Sequence, residues 1–187
     1  MTASAWIGSS LPSGAMDHFR LETQARYRLR DAVLSDGRDL FRWRNDPETR
    51  VWSRDTSDVS WDGHLTWLRS ALRNPNRQLL IAEDARGARG TIRLDLLDGV
   101  WEMSWTVAPE HRGKGVGAVI VRLAVSRMME ERVFAEIKAA NFASRRIAER
   151  SGFRLRGDRD GMLVYWRGST PSSPSEWDGL ESRDPSI

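Results

Sequence analysis

Polar and apolar side chains alternate over residues 26–33, and that period of two predicts a strand. Ser35 stands where a helix cap belongs, ahead of Leu40, Phe41 and Arg44. Asn45-Asp46-Pro47 closes that helix, because a residue before proline is pushed out of the helical region. Ser60 opens a second helix, with Trp61, Leu65, Leu68 and Leu72 at helical spacing, and Asn74-Pro75-Asn76 stops it. Residues 78–83, 91–96 and 100–107 read as three strands. The turn signals between them, Ala-Arg-Gly-Ala-Arg-Gly and Asp98-Gly99, predict an antiparallel meander. Residues 116–131 form a long amphipathic helix with Val116, Val119, Ile120, Leu123 and Met128 inward. A strand over 132–138, a helix over 144–151 and a hairpin of 153–156 with 162–166 complete the pattern. The order predicts an α/β fold of the α+β kind: one mixed, mostly antiparallel sheet with about four helices packed on it.

The flanks differ from this body. Residues 1–25 lack the charged start and apolar centre of a signal peptide and read as a flexible lead-in, within which Met16 offers a second start. Residues 168–187 are rich in Ser, Pro and acids and read as a disordered tail. The formal net charge is +3, but the lead-in contributes −1 and the tail −3, so the body carries +7, nearly all of it from arginine. Cysteine is absent, which excludes disulfides, thiolate metal sites and a cysteine nucleophile and fits a cytoplasmic protein. No apolar run approaches a membrane span, and no histidine spacing suits a metal. A nucleic-acid binder is disfavoured, because no basic–aromatic motif or recognition helix accompanies the charge.

The segment from Val107 through Pro109, His111, Arg112, Gly113, Lys114, Gly115, Val116 and Gly117 is the most informative. A strand enters a turn and a helix begins inside the glycines. Successive backbone N–H groups can converge there on one anion, helped by the positive helix end, with Arg112 and Lys114 as counter-charge. A pyrophosphate suits it, although an ordinary glycine-rich connection has the same letters. A Walker loop is excluded, since no Gly-Lys-Ser/Thr occurs. The dinucleotide fingerprint fits the letters Gly113-x-Gly115-x-x-Ala118, but a meander strand precedes it instead of a buried parallel one.

Arg112-x-x-Gly115-x-Gly117, preceded by Val-x-Pro, resembles the signature of the GCN5-related N-acetyltransferases. The family's second block is matched by the strand near 133–137, Asn141-Phe-Ala-Ser144 and Gly152-Phe153. The resemblance spans residues 26–167 and includes the strand order. It implies this family's fold and acetyl transfer from acetyl-CoA to an amine, with no metal. It also implies that residues 112 to 117 cradle the pyrophosphate of CoA, and that Thr106 and Val107 pair with the pantetheine arm as the strand splays from the next. Asn141 would hold the pantetheine amides, and Arg146, or else Arg145 or Arg150, would reach the 3′-phosphate.

The attacking amine must be neutral and the departing thiolate must be met by a proton. Family resemblance implies a base at Glu102. The usual tyrosine acid would fall at Ala148, where none exists. Asn141-x-x-Ser144 followed by Gly-Phe is similar instead to the ribosomal-protein N-terminal acetyltransferase branch, which puts the acid role on Ser144; a helix-start role for that serine competes. For the acceptor, Trp43-Arg-Asn-Asp-Pro47 and the His64-x-x-Trp67 helix resemble amino-sugar N-acetyltransferases of the pseudaminic-acid pathway. That likeness implies substrate contacts from Arg44, Asn45, Trp52 and His64, with Arg50 as a further donor. The expected partner is a small-molecule amine, first a sugar nucleotide, taken by a monomer or homodimer. A protein N-terminus is the alternative acceptor, and a catalytically dead acyl-CoA-binding module the alternative outside enzymes.

Overall fold

The computed structural model describes residues 26–129 and 131–169, so the lead-in, Met16 and the tail beyond residue 169 lie outside the described residues. Seven strands form one sheet: β1 (Arg28–Asp31), β2 (Arg77–Asp84), β3 (Gly87–Leu97), β4 (Val100–Val107), β5 (Val133–Lys138), β6 (Arg154–Arg159) and β7 (Met162–Arg167). Their spatial order is β1-β2-β3-β4-β5-β7-β6. Every neighbouring pair is antiparallel except β4 with β5. The two Asp-Gly turns close hairpins in the way their sequence demands. Asp98 and Gly99 have φ 47° and 79°, and Asp160 and Gly161 have φ 52° and 78°, the left-handed pair that matches strand twist.

The described residues form five α-helices: α1 (Gly37–Arg44), α2 (Pro47–Trp52), α3 (Trp61–Ala71), α4 (Val116–Arg127) and α5 (Phe142–Arg150). The sequence pattern predicts all but α2. Asp46 ends α1's neighbourhood, yet its side chain accepts from the Thr49 N–H and Pro47 takes the first helical position, so the same dipeptide starts a new helix. In α3 the buried face is His64, Leu68 and Ala71, rotated from the expected stripe; Trp61 and Leu72 are exposed. Helix α4 ends at Arg127, a turn earlier than its apolar pattern suggests.

Helices cover both faces of the central strands, which is why β2 shows four consecutive buried residues, Leu79 to Ala82. Leu80, Ala82, Ile92, Leu94, Met103, Ala135 and Ile137 pack under α4 and α5, while Leu79 and Ile81 meet Leu40, Trp43 and Leu68 of α1 and α3. On β3, Gly90 lies opposite Val107, and a Cβ there would stand 2.4 Å from the Thr106 carbonyl oxygen. Backbone cannot yield as a side-chain tip can. Gly90→Ala should therefore lower the unfolding free energy by about 2–3 kcal/mol, read from the urea midpoint.

Candidate active site at a fork between two strands

Parallel pairing of β4 with β5 lasts for two Cα pairs, Trp101 with Val133 and Glu102 with Phe134. Beyond them β4 stays paired to β3 as far as Val107, and β5 stays paired to β7 as far as Lys138. The strands therefore part inside the sheet, and their facing edges carry backbone groups that no ladder satisfies. Such groups need water or a ligand. A cleft of about 460 Å³ occupies the fork, walled by Met103 to Val107, by Glu136 and Ile137, by the glycine turn and by α2 and α5.

The turn has the conformation its glycines permit. Gly113 and Gly115 have φ 71° and 77°, and Gly115 immediately precedes α4. Gly117 answers a different constraint: a Cβ there would stand 2.7 Å from Ile147 Cδ1 and 3.3 Å from Val107 Cγ2, so its absence lets α4 lie against β4 and α5. Val116, Gly117 and Ala118 all border the cleft. They belong to the first turn of a 12-residue helix, where N–H groups lack intrahelical acceptors. An oxyanion fits this cradle.

Of the expected donor-binding residues, Thr106, Val107, Arg112, Gly113, Gly115, Val116, Gly117, Asn141 and Arg146 all line the cleft, and Arg150 joins them. Lys114 does not. Its Nζ turns back to the Glu110 carbonyl oxygen at 2.7 Å. Arg145 also turns away, to the Ala139 carbonyl oxygen (3.0 Å) and the Tyr165 hydroxyl (3.2 Å). Arg112 borders the cleft, but its guanidinium is engaged by α2: Nη2 donates to Asp46 Oδ2 and Thr49 Oγ1, and Nη1 to Glu48 Oε2 at 3.0 Å. Among the described residues, the side chains of Arg146 and Arg150 have no hydrogen-bond or ion-pair partner and border the cleft. They are cations available to a phosphate.

Ser144 lines the cleft, half-buried, on the first turn of α5. It does not cap that helix. Asn141 does so, its Oδ1 accepting from the Ser144 backbone N–H at 3.1 Å. The serine hydroxyl is thereby left for other work. Ala148, the site of the usual tyrosine, is fully buried, and the Tyr165 hydroxyl donates to Glu149 Oε1 at 3.0 Å outside the cleft.

Glu102 sits at the root of the fork, in the last paired row, and does not line the cleft. It is buried, and by strand alternation it shares a face with Ser104 and Thr106, which do line it. It has no ion pair among the described residues. Glu136 has the reverse character. It borders the cleft, its side chain is 3% exposed, and Arg54 and Arg159 both pair with it. In the sequence Glu136 has the spacing of the acidic residue in the discarded dinucleotide fingerprint; as the one polar side chain in the run Val133 to Ile137 it is brought to this cleft only by the fork. His111 also borders the cleft, with Nε2 against Arg89 Nη1 at 2.6 Å. Burial first, and then Arg89, push its pKa below the ordinary histidine value.

Three of the four expected acceptor contacts are structural here. Arg44 is 1% exposed and donates to the Ser57 and Asp55 carbonyl oxygens. Asn45 exchanges two hydrogen bonds with the Val59 backbone, each 2.8 Å. Both brace the loop between α2 and α3, and Arg50 does the same through the Thr56 carbonyl oxygen. His64 is buried among Phe41, Trp61 and Trp67, with Nε2 donating to the Gly37 carbonyl oxygen at 3.0 Å. Burial lowers its pKa, so it is a neutral core side chain. Arg44 and Asn45 turn to carbonyl oxygens of that loop, and His64 turns to the Gly37 carbonyl oxygen, instead of facing the cleft. Trp52 alone of the four borders the cleft.

The capping geometry separates two variants. Asn141→Ala should cost about 1 kcal/mol of stability in chemical denaturation, whereas Ser144→Ala should change it by less than about 0.5 kcal/mol.

Residues 26–154 match the family profile of the acetyltransferase (GNAT) domain. No curated protein sequence matches the chain. Among solved structures, a spermidine N-acetyltransferase from Vibrio cholerae in complex with CoA and spermine aligns with a TM-score of 0.67 at 17% identity, over 76% of this chain and 94% of that one. The aminoglycoside acetyltransferase AAC(6')-Ib with coenzyme A aligns at TM-score 0.64 and 21% identity, over 75% and 92%. The ribosomal-protein alpha-N-acetyltransferase RimL with CoA aligns at TM-score 0.67 and 13% identity, over 76% and 93%. The profile covers most of the chain and these structures share its overall fold: the chain belongs to the GNAT acetyltransferase family.

Proposed function

We propose that this protein transfers the acetyl group of acetyl-CoA to a primary amine on a small molecule, with a nucleotide-linked amino sugar as the first acceptor to test. The observation that carries the reading is the fork itself. Unpaired strand edges at Ser104 to Val107 can hydrogen-bond the amides of a pantetheine arm, and the arm's pyrophosphate then falls at the N–H groups of residues 113 to 117. Arg146 and Arg150 supply counter-charge to the phosphates, and Asn141 borders the same wall.

In the reaction the amine nitrogen attacks the thioester carbonyl carbon, a C–N bond forms and the C–S bond breaks. Glu102 takes the amine proton through water, from its place at the root of the fork. Its freedom from ion pairs among the described residues supports this role over Glu136, whose carboxylate is ion-paired with Arg54 and Arg159. Ser144 donates to the departing sulfur and is reprotonated from solvent; its uncapped hydroxyl in the cleft supports that assignment.

The acceptor is argued from charge. The carboxylates on the cleft wall are Glu48 and Glu136; Glu136 pairs with Arg54 and Arg159, and Glu48 shares Arg112 with Asp46, so three carboxylates face three guanidiniums. A polycation finds no net negative charge in that set. Trp52 offers a flat apolar face to a sugar ring, and the basic body suits an acceptor bearing phosphate.

Thiol release from acetyl-CoA, followed over a panel of UDP-linked amino sugar, spermidine, kanamycin and a short peptide with a free N-terminus, tests the reading. The amino sugar should turn over fastest. Faster turnover of spermidine or kanamycin overturns the charge argument, and CoA binding with no turnover on any amine would favour an inactive binding module. With the best amine, Ser144→Ala should lower kcat roughly tenfold or more while acetyl-CoA still binds. Glu102→Gln should lose rate at neutral pH and recover part of it at high pH, where the amine deprotonates unaided.

A further inference from the structure

The side chain of Arg112 does not point to the ligand that its motif implies. Its backbone belongs to the glycine turn, while its guanidinium crosses to the first turn of α2, a segment 66 residues earlier in the chain. Three acceptors receive it there: Asp46 Oδ2 at 2.5 Å, Thr49 Oγ1 at 2.6 Å and Glu48 Oε2 at 3.0 Å. Asp46 is also the cap of α2, accepting from the Thr49 N–H at 2.9 Å. Partial burial works against the Asp46 charge, but the bonds from Arg112 and from the Thr49 amide outweigh it, and its pKa lies below the ordinary aspartate value.

The far end of α2 is held from the opposite wall. Lys138 Nζ on β5 donates to the Val51 carbonyl oxygen at 2.8 Å, and Glu136 on the same strand pairs with Arg54 just past the helix. Helix α2 thus bridges the mouth of the fork, tied to the β4 side through the glycine turn and to β5 directly. It brings Thr49, Trp52 and Ser53 to the cleft. A helix of six residues is too short to persist on its own, so its position depends on these ties.

We infer that Arg112 is a positioning residue for the acceptor: its side chain holds α2 across the mouth of the cleft, while the donor's phosphates are met by the turn's backbone and by Arg146 and Arg150. The half of this statement that concerns the donor rests on the acetyl-CoA reading above. The half that concerns α2 stands on the contacts alone. A consequence is that the donor turn and the acceptor wall share one side chain, so the two substrate sites are built as a unit.

Arg112→Lys and Arg112→Gln discriminate the two roles, because a lysine can replace a point charge beside a phosphate but not a fork that engages three acceptors. The pair Asp46→Asn with Glu48→Gln cuts the same ties from the other side and keeps a capping side chain at residue 46. Three readouts are taken on the intact protein: amide hydrogen exchange over residues 46–53, the Kd for CoA by calorimetry, and kcat and KM for the panel amine that turns over fastest. Both Arg112 variants and the paired variant should exchange about tenfold faster over α2 and raise the amine KM at least fivefold. The Kd for CoA should stay within threefold of the parent. Lysine should rescue neither the exchange nor the KM. A CoA Kd weakened more than threefold in Arg112→Gln overturns the inference, and so does an unchanged exchange rate or an unchanged amine KM. If the parent fails to bind CoA, the acetyltransferase reading falls instead, and the exchange data alone decide whether Arg112 holds α2.

Discussion

Everything functional in this structure depends on two strands ceasing to pair. A sheet gains stability from its ladder, and an open edge in the middle of one leaves donors and acceptors without partners. Here the ladder between β4 and β5 stops after Glu102 and Phe134, while each strand keeps its other neighbour. The walls of the opening are held by β3 and β7, and its floor by the last paired row. A thioester arm with two amides is the kind of ligand that can complete such edges, and the N–H groups of the glycine turn at the end of β4 suit the charged remainder of the same molecule.

The arginines show why net charge alone says little. Most of those near the site serve the protein itself. Arg44 and Arg50 satisfy loop carbonyls, Arg54 and Arg159 flank Glu136, Arg89 serves Asp84 and His111, and Arg112 holds α2. Arg146 and Arg150 differ in having, among the described residues, no partner beside the cleft. A guanidinium with its donors already engaged is a poor ligand for an incoming phosphate, because binding must first break what it has. Partner inventory, not charge count, identifies the cations that a ligand can use.

The same inventory narrows the acceptor. Relatives of this fold act on spermidine, aminoglycosides or a ribosomal protein, so the scaffold leaves the choice of amine open. Under the proposed function, the acceptor side of the cleft is lined by α2 and the start of the loop after it. Both are held by ion pairs in which the arginines balance the carboxylates at the mouth as a set. Positioning and charge selection are thus two effects of one set of contacts.

The local sequence determined the strands and most helices, through periodicity, and the two Asp-Gly hairpins, through the backbone angles those residues tolerate. It also determined the glycine turn and its family resemblance, because these depend on residues adjacent in the chain. Helix α2 was legible in Asp46-Pro47 but was hidden by reading that proline only as a stop. Tertiary structure alone decided the rest. That Arg112 meets Asp46, that Arg44, Asn45 and His64 turn inward, and that Glu136 reaches the cleft are all matters of which distant element packs where. A side chain with several charged or polar partners within reach selects among them by burial and geometry. Those are properties of the assembled fold, and no pattern along the chain encodes them locally.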